Sequence, residues 1–215
     1  MAENKTLPVG CVIMASGLST RFGSNKLLTP FGPGREPMLR RAFAATDTPL
    51  LASRVVVARS PEVETLCREV RVPCLLHALP GRNDTVRLGL EALLAERPDL
   101  AGCMFLPGDQ PLLRRESGES LLRALAEHLR TQKETERMIF RLAYRAKDDP
   151  TPLVGSPVLF DSGYFPALRT LPEGKGGSFL LRQYPEQVHC FYTAHHEELW
   201  DADTPEALQK LEAML

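Results

Sequence analysis

Apolar residues fall in short unbroken runs, and the segments between them carry a helical spacing. Residues 9–14 are apolar, rich in β-branched side chains and followed by a turn signal, which predicts a buried strand. Residues 37–45 place Met38, Leu39, Ala42 and Phe43 at helical intervals. A second strand is predicted over 54–58, and a helix over 61–70 with Pro61 in its first turn. A third strand follows at 72–77, then a helix at 84–97 with Val86, Leu90, Leu93 and Leu94 on one stripe. Strands at 102–106 and 137–144 flank a helix at 119–131. Pro150, Pro152, Pro157, Pro166 and Pro172 interrupt residues 148–172, so a long functional loop with a short helix is expected there. Residues 175–184 complete a helix and 188–193 a last strand. Thr204-Pro205-Glu206 then opens a closing helix with a capping hydroxyl and proline at its first position.

Strands alternating with helices indicate βαβ units, hence a mainly parallel sheet covered on both faces. The expectation is one α/β domain over residues 1–215, three-layered and doubly wound. No internal repeat and no linker rich in Gly or Ser divides the chain.

Composition narrows the function classes. Lys+Arg 26 against Asp+Glu 27 leaves a formal charge of -1, so no global basic field calls for nucleic acid, and any anion site must be local. No apolar run approaches the roughly 20 residues that a bilayer requires, and residues 1–5 lack a signal-peptide layout. A cytoplasmic chain with neither a membrane nor a nucleic-acid partner is expected. Cys11, Cys67, Cys74, Cys103 and Cys190 are scattered without Cys-x-x-Cys spacing, so they are expected to be small buried hydrophobes. His195-His196 is expected to be a surface turn, and Trp200 to pack.

The chemistry is concentrated at two predicted strand ends, where doubly wound sheets bind ligands. Residues 14–28 follow the first strand with Gly17 and Gly23, the hydroxyls of Ser16, Ser19, Thr20 and Ser24, and the cations Arg21 and Lys26. Such loops aim backbone N–H groups at phosphate oxygens, although an ordinary turn has similar residues. The spacing is neither Walker A nor Gly-x-Gly-x-x-Gly, which weakens a nicotinamide-dependent oxidoreductase. The fourth strand ends in Pro107-Gly108-Asp109-Gln110-Pro111, which presents Asp109 as an Mg²⁺ ligand or as a turn cap. A cationic phosphate loop facing a carboxylate is what an NTP–Mg²⁺ complex needs.

Residues 14–28 resemble the signature loop of the NTP-transferase family at Gly17, Ser19, Arg21, Gly23, Lys26, Leu27 and Leu28. Residues 82–90 resemble its base- and ribose-contacting segment, and Gly108-Asp109-Gln110-Pro111 its metal-bearing Gly-Asp-x-Pro. Residues 155–160 resemble the Gly-His/Asn-Pro-x-x-Phe of the molybdenum cofactor cytidylyltransferase branch, and residues 201–206 that branch's closing Asp-Ile-Asp-Thr-Pro-Glu. The resemblance implies a Rossmann-like nucleotidyltransferase fold and transfer of a nucleoside monophosphate from an NTP to the phosphate of molybdopterin. It assigns Arg21 to the β- and γ-phosphates, Lys26 to the α-phosphoryl charge, and the backbone of Ala15, Ser16, Gly17 and Ser19 to the triphosphate. Asn83, Asp84 and Thr85 would serve the nucleoside. Asp109, with Asp201 or Asp203, would hold Mg²⁺, and Gly155, Ser156, Pro157 and Lys175 would meet the acceptor. A molybdoenzyme receiving the product is an implied partner.

Two departures bear on specificity. Ser16 stands where the cytidylyltransferase branch has Ala and the guanylyltransferase branch Gly, which favours CTP. Gly174 and Ser178 replace an acidic and a basic position of the family pattern, which leaves room for a different acceptor. The rival readings are a nucleotidyltransferase for another small phosphorylated acceptor and a non-catalytic binder that carries or inserts the cofactor. Asp203 doubles as a residue of the closing helix start, so one of the two late aspartates is open to a capping role.

Overall fold

A computed structural model describes residues 7–17, 22–23, 25–131, 137–149 and 151–215. Its strands are β1 (Val9–Ala15), β2 (Pro30–Phe31), β3 (Glu36–Pro37), β4 (Ser53–Ala58), β5 (Cys74–Leu76), β6 (Gly102–Pro107), β7 (Ile139–Tyr144), β8 (Leu153–Asp161) and β9 (Val188–Thr193). Its helices are α1 (Leu39–Ala45), α2 (Pro61–Glu69), α3 (Arg82–Glu96), α4 (Arg115–Thr131), α5 (Phe165–Arg169), α6 (Ser178–Gln183) and α7 (Pro205–Glu212). Seven strands form one sheet in the order β5-β4-β1-β6-β8-β7-β9, and β2 and β3 form a small separate ribbon. All neighbours in the large sheet pair in parallel except β8, which runs antiparallel to both β6 and β7.

Both faces of the sheet are apolar because both are covered. Along β1, Val9, Cys11, Ile13 and Ala15 enter one core with α1, α2, α4 and α7, whereas Val12 enters the other with α3, α5 and α6. The helix α3 packs close to the sheet at Gly89, where a Cβ would lie 2.5 Å from Val12 Cγ1. The expected three-layer, doubly wound α/β fold is the one observed. All five cysteines are free, with Cys11, Cys67 and Cys103 buried and Cys74 and Cys190 partly so. Among the described residues no helix is long and apolar enough to cross a membrane.

One expectation is corrected. The segment 148–172 is not mainly loop, because its middle forms the nine-residue β8, inserted between β6 and β7. The pairing explains why prolines did not prevent it. Arg141 faces Val158 and Ala143 faces Val154, so residues 155–157 bulge against Leu142 alone and Pro157 sits where the ladder is interrupted. The predicted third strand is also shorter, being paired only at Cys74–Leu76. His195 and His196 sit at the start of a one-turn helix, each against Glu197, and Trp200 packs edge-on to His196.

Candidate active site

The chain leaves β1 for β4 on one side, while β6 lies on the other, so the strand order reverses between β1 and β6. At their carboxyl ends, Ser16, Gly17 and Asp109 line a cavity of about 450 Å³. Gly108 holds these ends together: its N–H donates to Met14 O at 2.9 Å, and a Cβ there would lie 2.9 Å from Leu39 Cδ1. Glycine suits this close approach, since a larger residue would press on Leu39 and on Met14 O, and Asp109 is presented just beyond it.

Lys26 occupies a single helical turn, Lys26–Leu28, capped by the Asn25 side chain, which accepts from Leu27 N–H. Its Nζ donates to Asp109 Oδ2 at 2.5 Å and to Asp203 Oδ1 at 2.9 Å. Burial pulls the ammonium toward neutrality, but the two carboxylates outweigh it and hold its pKa above the ordinary lysine value. The late loop is zipped onto β6 by Ala202 N–H donating to Asp109 O at 2.9 Å. Thr204 caps α7 by accepting from Ala207 N–H. Asp203 thus belongs to the charge cluster, and the capping falls to Thr204. Asp201 lines the cavity as well. Enclosure by the protein, then the Asp109 carboxylate, raise its pKa to about 6, against a stabilising hydrogen bond from Gln110.

The loop is pinned from behind by Glu198, which is fully buried. It accepts Arg114 N–H at 3.0 Å and the Thr193 hydroxyl at 2.5 Å, joining β9, the approach to α4 and the segment that leads to Asp201. Nothing in its sequence context marks Glu198 among the chain's acidic residues.

On the opposite side, Ser16 Oγ donates to Val57 O at 2.9 Å and lies 2.9 Å from His77 Nε2. Because the hydroxyl proton is committed to Val57, the ring must donate through Nε2–H. His77 Nδ1 is then the bare acceptor nitrogen, buried and without a partner. Burial and then Arg59 hold the His77 pKa below the usual histidine value.

The other predicted residues divide by position. Thr85 lines the cavity. Asp84 accepts from Gly81 N–H at 3.1 Å and pairs with Arg87, and Asn83 accepts from Gly174 N–H at 2.9 Å, so both shape the loop ends. Ala15 ends β1 with its side chain buried. Gly155 and Ser156 line the cavity while Pro157 does not; Lys175 is exposed just ahead of the lining residues Gly176 and Gly177. Ser19 and Arg21 lie outside the described residues. Sequence reasoning missed His77, Arg59 and Arg141, which reach the cavity region from strands or strand ends that carry no motif.

No three His, Cys, Asp or Glu side chains among the described residues are gathered to hold a metal ion unaided. The donors are nonetheless all oxygen, three carboxylates against one ammonium, and the neighbouring Gln110 Oε1 is buried without a partner. That set suits a hard divalent cation that takes one or two carboxylates here and its other ligands from phosphates and water.

Fold and site together define a doubly wound α/β domain with a charged cleft of about 450 Å³ at its switch point. The model of the MobA-like NTP transferase domain matches residues 11–188, and the chain belongs to that family. It is 32% identical over 115 residues to 3-deoxy-manno-octulosonate cytidylyltransferase of Polynucleobacter asymbioticus, covering 52% of this chain and 44% of that protein, so the match spans less than half of the relative. Among solved structures, CMP:2-keto-3-deoxy-manno-octonic acid synthetase complexed with CTP superposes with a TM-score of 0.75 at 16% identity, covering 96% of this chain and 98% of that one. Rv0371c of Mycobacterium tuberculosis H37Rv gives 0.73 at 21% identity over 98% and 100% of the chains, and has also been solved with manganese. At these identities the structural likeness concerns the fold.

Proposed function

We propose that the chain moves CMP from CTP onto the phosphate of a molybdopterin-type acceptor and releases pyrophosphate. The observation that carries this reading is Lys26 held between Asp109 and Asp203 at the switch point, beside the Ser16-Gly17 turn. An acceptor phosphate is already an anionic nucleophile, so the transfer needs positioning and charge neutralisation rather than a general base. An acceptor oxygen forms the new bond to the α-phosphorus as the bond to the β-phosphate oxygen breaks, and pyrophosphate leaves with that electron pair. Lys26 neutralises charge on the α-phosphoryl oxygens, and Arg21 grips the leaving group. The backbone N–H groups of Ala15, Ser16, Gly17 and Ser19 are assigned to the triphosphate, and Thr85, with Asn83 and Asp84 shaping the loop ends beside it, to the nucleoside. Gly155 and Ser156 border the acceptor, with Pro157 shaping the bulge behind them and Lys175 reaching in from the exposed turn ahead of Gly176. Asp109 with Asp201 or Asp203 holds a divalent cation, Mg²⁺, which when bound offsets the triphosphate charge.

CTP is favoured by the Ser16 side chain and by the cytidylyltransferase relative. The same relative supports a second reading, in which the acceptor is a sugar acid. Pyrophosphate release is to be measured with CTP, GTP and ATP, each with Mg²⁺ and with molybdopterin or 3-deoxy-manno-octulosonate. The expected result is release with CTP and molybdopterin, lost in Asp109→Ala without loss of folding. Unimpaired turnover by Asp109→Ala at saturating Mg²⁺ would overturn the assignment of the site, and turnover confined to the sugar acid would replace the acceptor.

A further inference from the structure

Arg141 enters the cavity from β7, outside every motif that points to the nucleotide. The register places Arg141 opposite Val158, and Val158 opposite Phe105, so the three form one row across β7, β8 and β6. All three line the cavity. Arg141 is half-buried, and burial lowers its pKa from the ordinary arginine value. Its Nη2 donates to Gly155 O at 3.3 Å, in the β8 bulge. Its Nε is buried without a partner. Among the described residues no carboxylate pairs with it. The register neighbour on β9 is Cys190, which acts on Arg141 against the effect of burial but gives it no hydrogen bond.

A guanidinium held in this way is costly unless something completes it, because buried charges are otherwise paired. Its planar fork matches a carboxylate or a phosphate. The acidic end of the cavity does not supply the partner. Arg141 lies two strands from β6, about 10 Å across the sheet, and its row meets β6 at Phe105, before the strand ends at Pro107 and the turn presents Asp109. Asp109, Asp203 and Lys26 already satisfy one another at that far end.

We infer that Arg141 binds an oxyanion of the acceptor, a carboxylate or phosphate remote from the oxygen that attacks the nucleotide. The inference rests on the nucleotidyl-transfer reading and, because the one phosphate of molybdopterin is itself the nucleophile, it favours the second acceptor named above, one with an acid group besides the attacking oxygen; the anion site itself is defined by Arg141 and the bulge. Gly155 suits this geometry: a Cβ there would lie 2.9 Å from Leu199 Cδ2 and 3.2 Å from its Cβ, so a larger residue would force either Leu199 or the bulge to shift. The acceptor therefore has two polar ends, one nucleophilic beside Lys26 and one anionic beside Arg141.

The test uses the full chain with inorganic phosphate and malonate as probes, each titrated with and without CTP and Mg²⁺. The Arg141 Nε–Hε resonance is followed by ¹⁵N NMR, and CTP affinity is measured separately by calorimetry. The Arg141 resonance is expected to move with at least one probe, phosphate and malonate separating the two oxyanion sources. Arg141→Met is expected to weaken that probe at least tenfold while leaving CTP affinity unchanged. Should the Met variant fail to fold, Arg141→Lys decides, with a several-fold weakening expected from loss of the fork. A static Arg141 resonance in the wild type, or equal probe affinity in the variants, would overturn the inference. Absence of CTP binding with a responsive Arg141 would count against the transferase reading and leave the anion site standing.

Discussion

Replacing Lys26 by Met removes the cation shared by Asp109 and Asp203. In the wild type its Nζ lies 2.5 Å from one carboxylate and 2.9 Å from the other, and the lysine side chain is 10% exposed. An exposed ion pair contributes about 0–1 kcal/mol, and losing one partner of a fully buried pair costs about 3–5 kcal/mol. Asp109 is 20% exposed and Asp203 50%, so this site falls between those limits, at about 2–3 kcal/mol. For a domain of this length that is a fall in Tm of about 5–10 °C. Asp109→Asn should cost less, because Lys26 keeps Asp203 and the Asp201–Asp109 repulsion disappears. The assay is a double-mutant cycle on Lys26→Met, Asp109→Asn and the pair, with unfolding followed by urea and calorimetry at constant ionic strength. A coupling of about 1–2 kcal/mol is expected. Additive behaviour within about 0.5 kcal/mol would refute the argument that Lys26 is there to hold the carboxylates together. Pyrophosphate release should be lost in Lys26→Met at temperatures where the variant is still fully folded.

Three further outcomes are expected. Glu198→Ala strips the partners from Arg114 N–H and the Thr193 hydroxyl and should destabilise the chain by about 2–4 kcal/mol; urea unfolding measures it, and a loss under about 1 kcal/mol would mean that water replaces both bonds. Gly89→Ala should cost about 1–2 kcal/mol, because the clash with the stiff Val12 side chain outweighs the gain in helix propensity; a rise in Tm would show that α3 can shift off the sheet. His77 has a folded pKa below its unfolded one, so its contribution to stability is present above the usual histidine pKa and is lost as pH falls through the folded value. Unfolding at pH 5 and pH 8 should therefore differ less in His77→Gln than in the wild type, and an unchanged pH dependence would remove His77 from the account.

Most of the architecture was written in local pattern. The continuous apolar runs at β1, β4 and β6, the stripe on α3 and the Thr204-Pro205 cap follow from period and capping chemistry, which depend on neighbours in sequence. The motif residues Gly17, Lys26, Asp109 and Asp203 were legible for the same reason, since each stands at a strand end or helix start marked by glycine, proline or a hydroxyl. β8 was not legible: prolines argue against a strand locally, and only pairing with both β6 and β7, around a bulge that absorbs Pro157, makes it one. His77, Glu198 and Arg141 were likewise decided by tertiary structure. An isolated histidine, glutamate or arginine has no period, and its role appears when distant segments enclose it. Burial sets that role, because whether a charge or donor is enclosed, and whether anything answers it there, depends on segments remote in sequence.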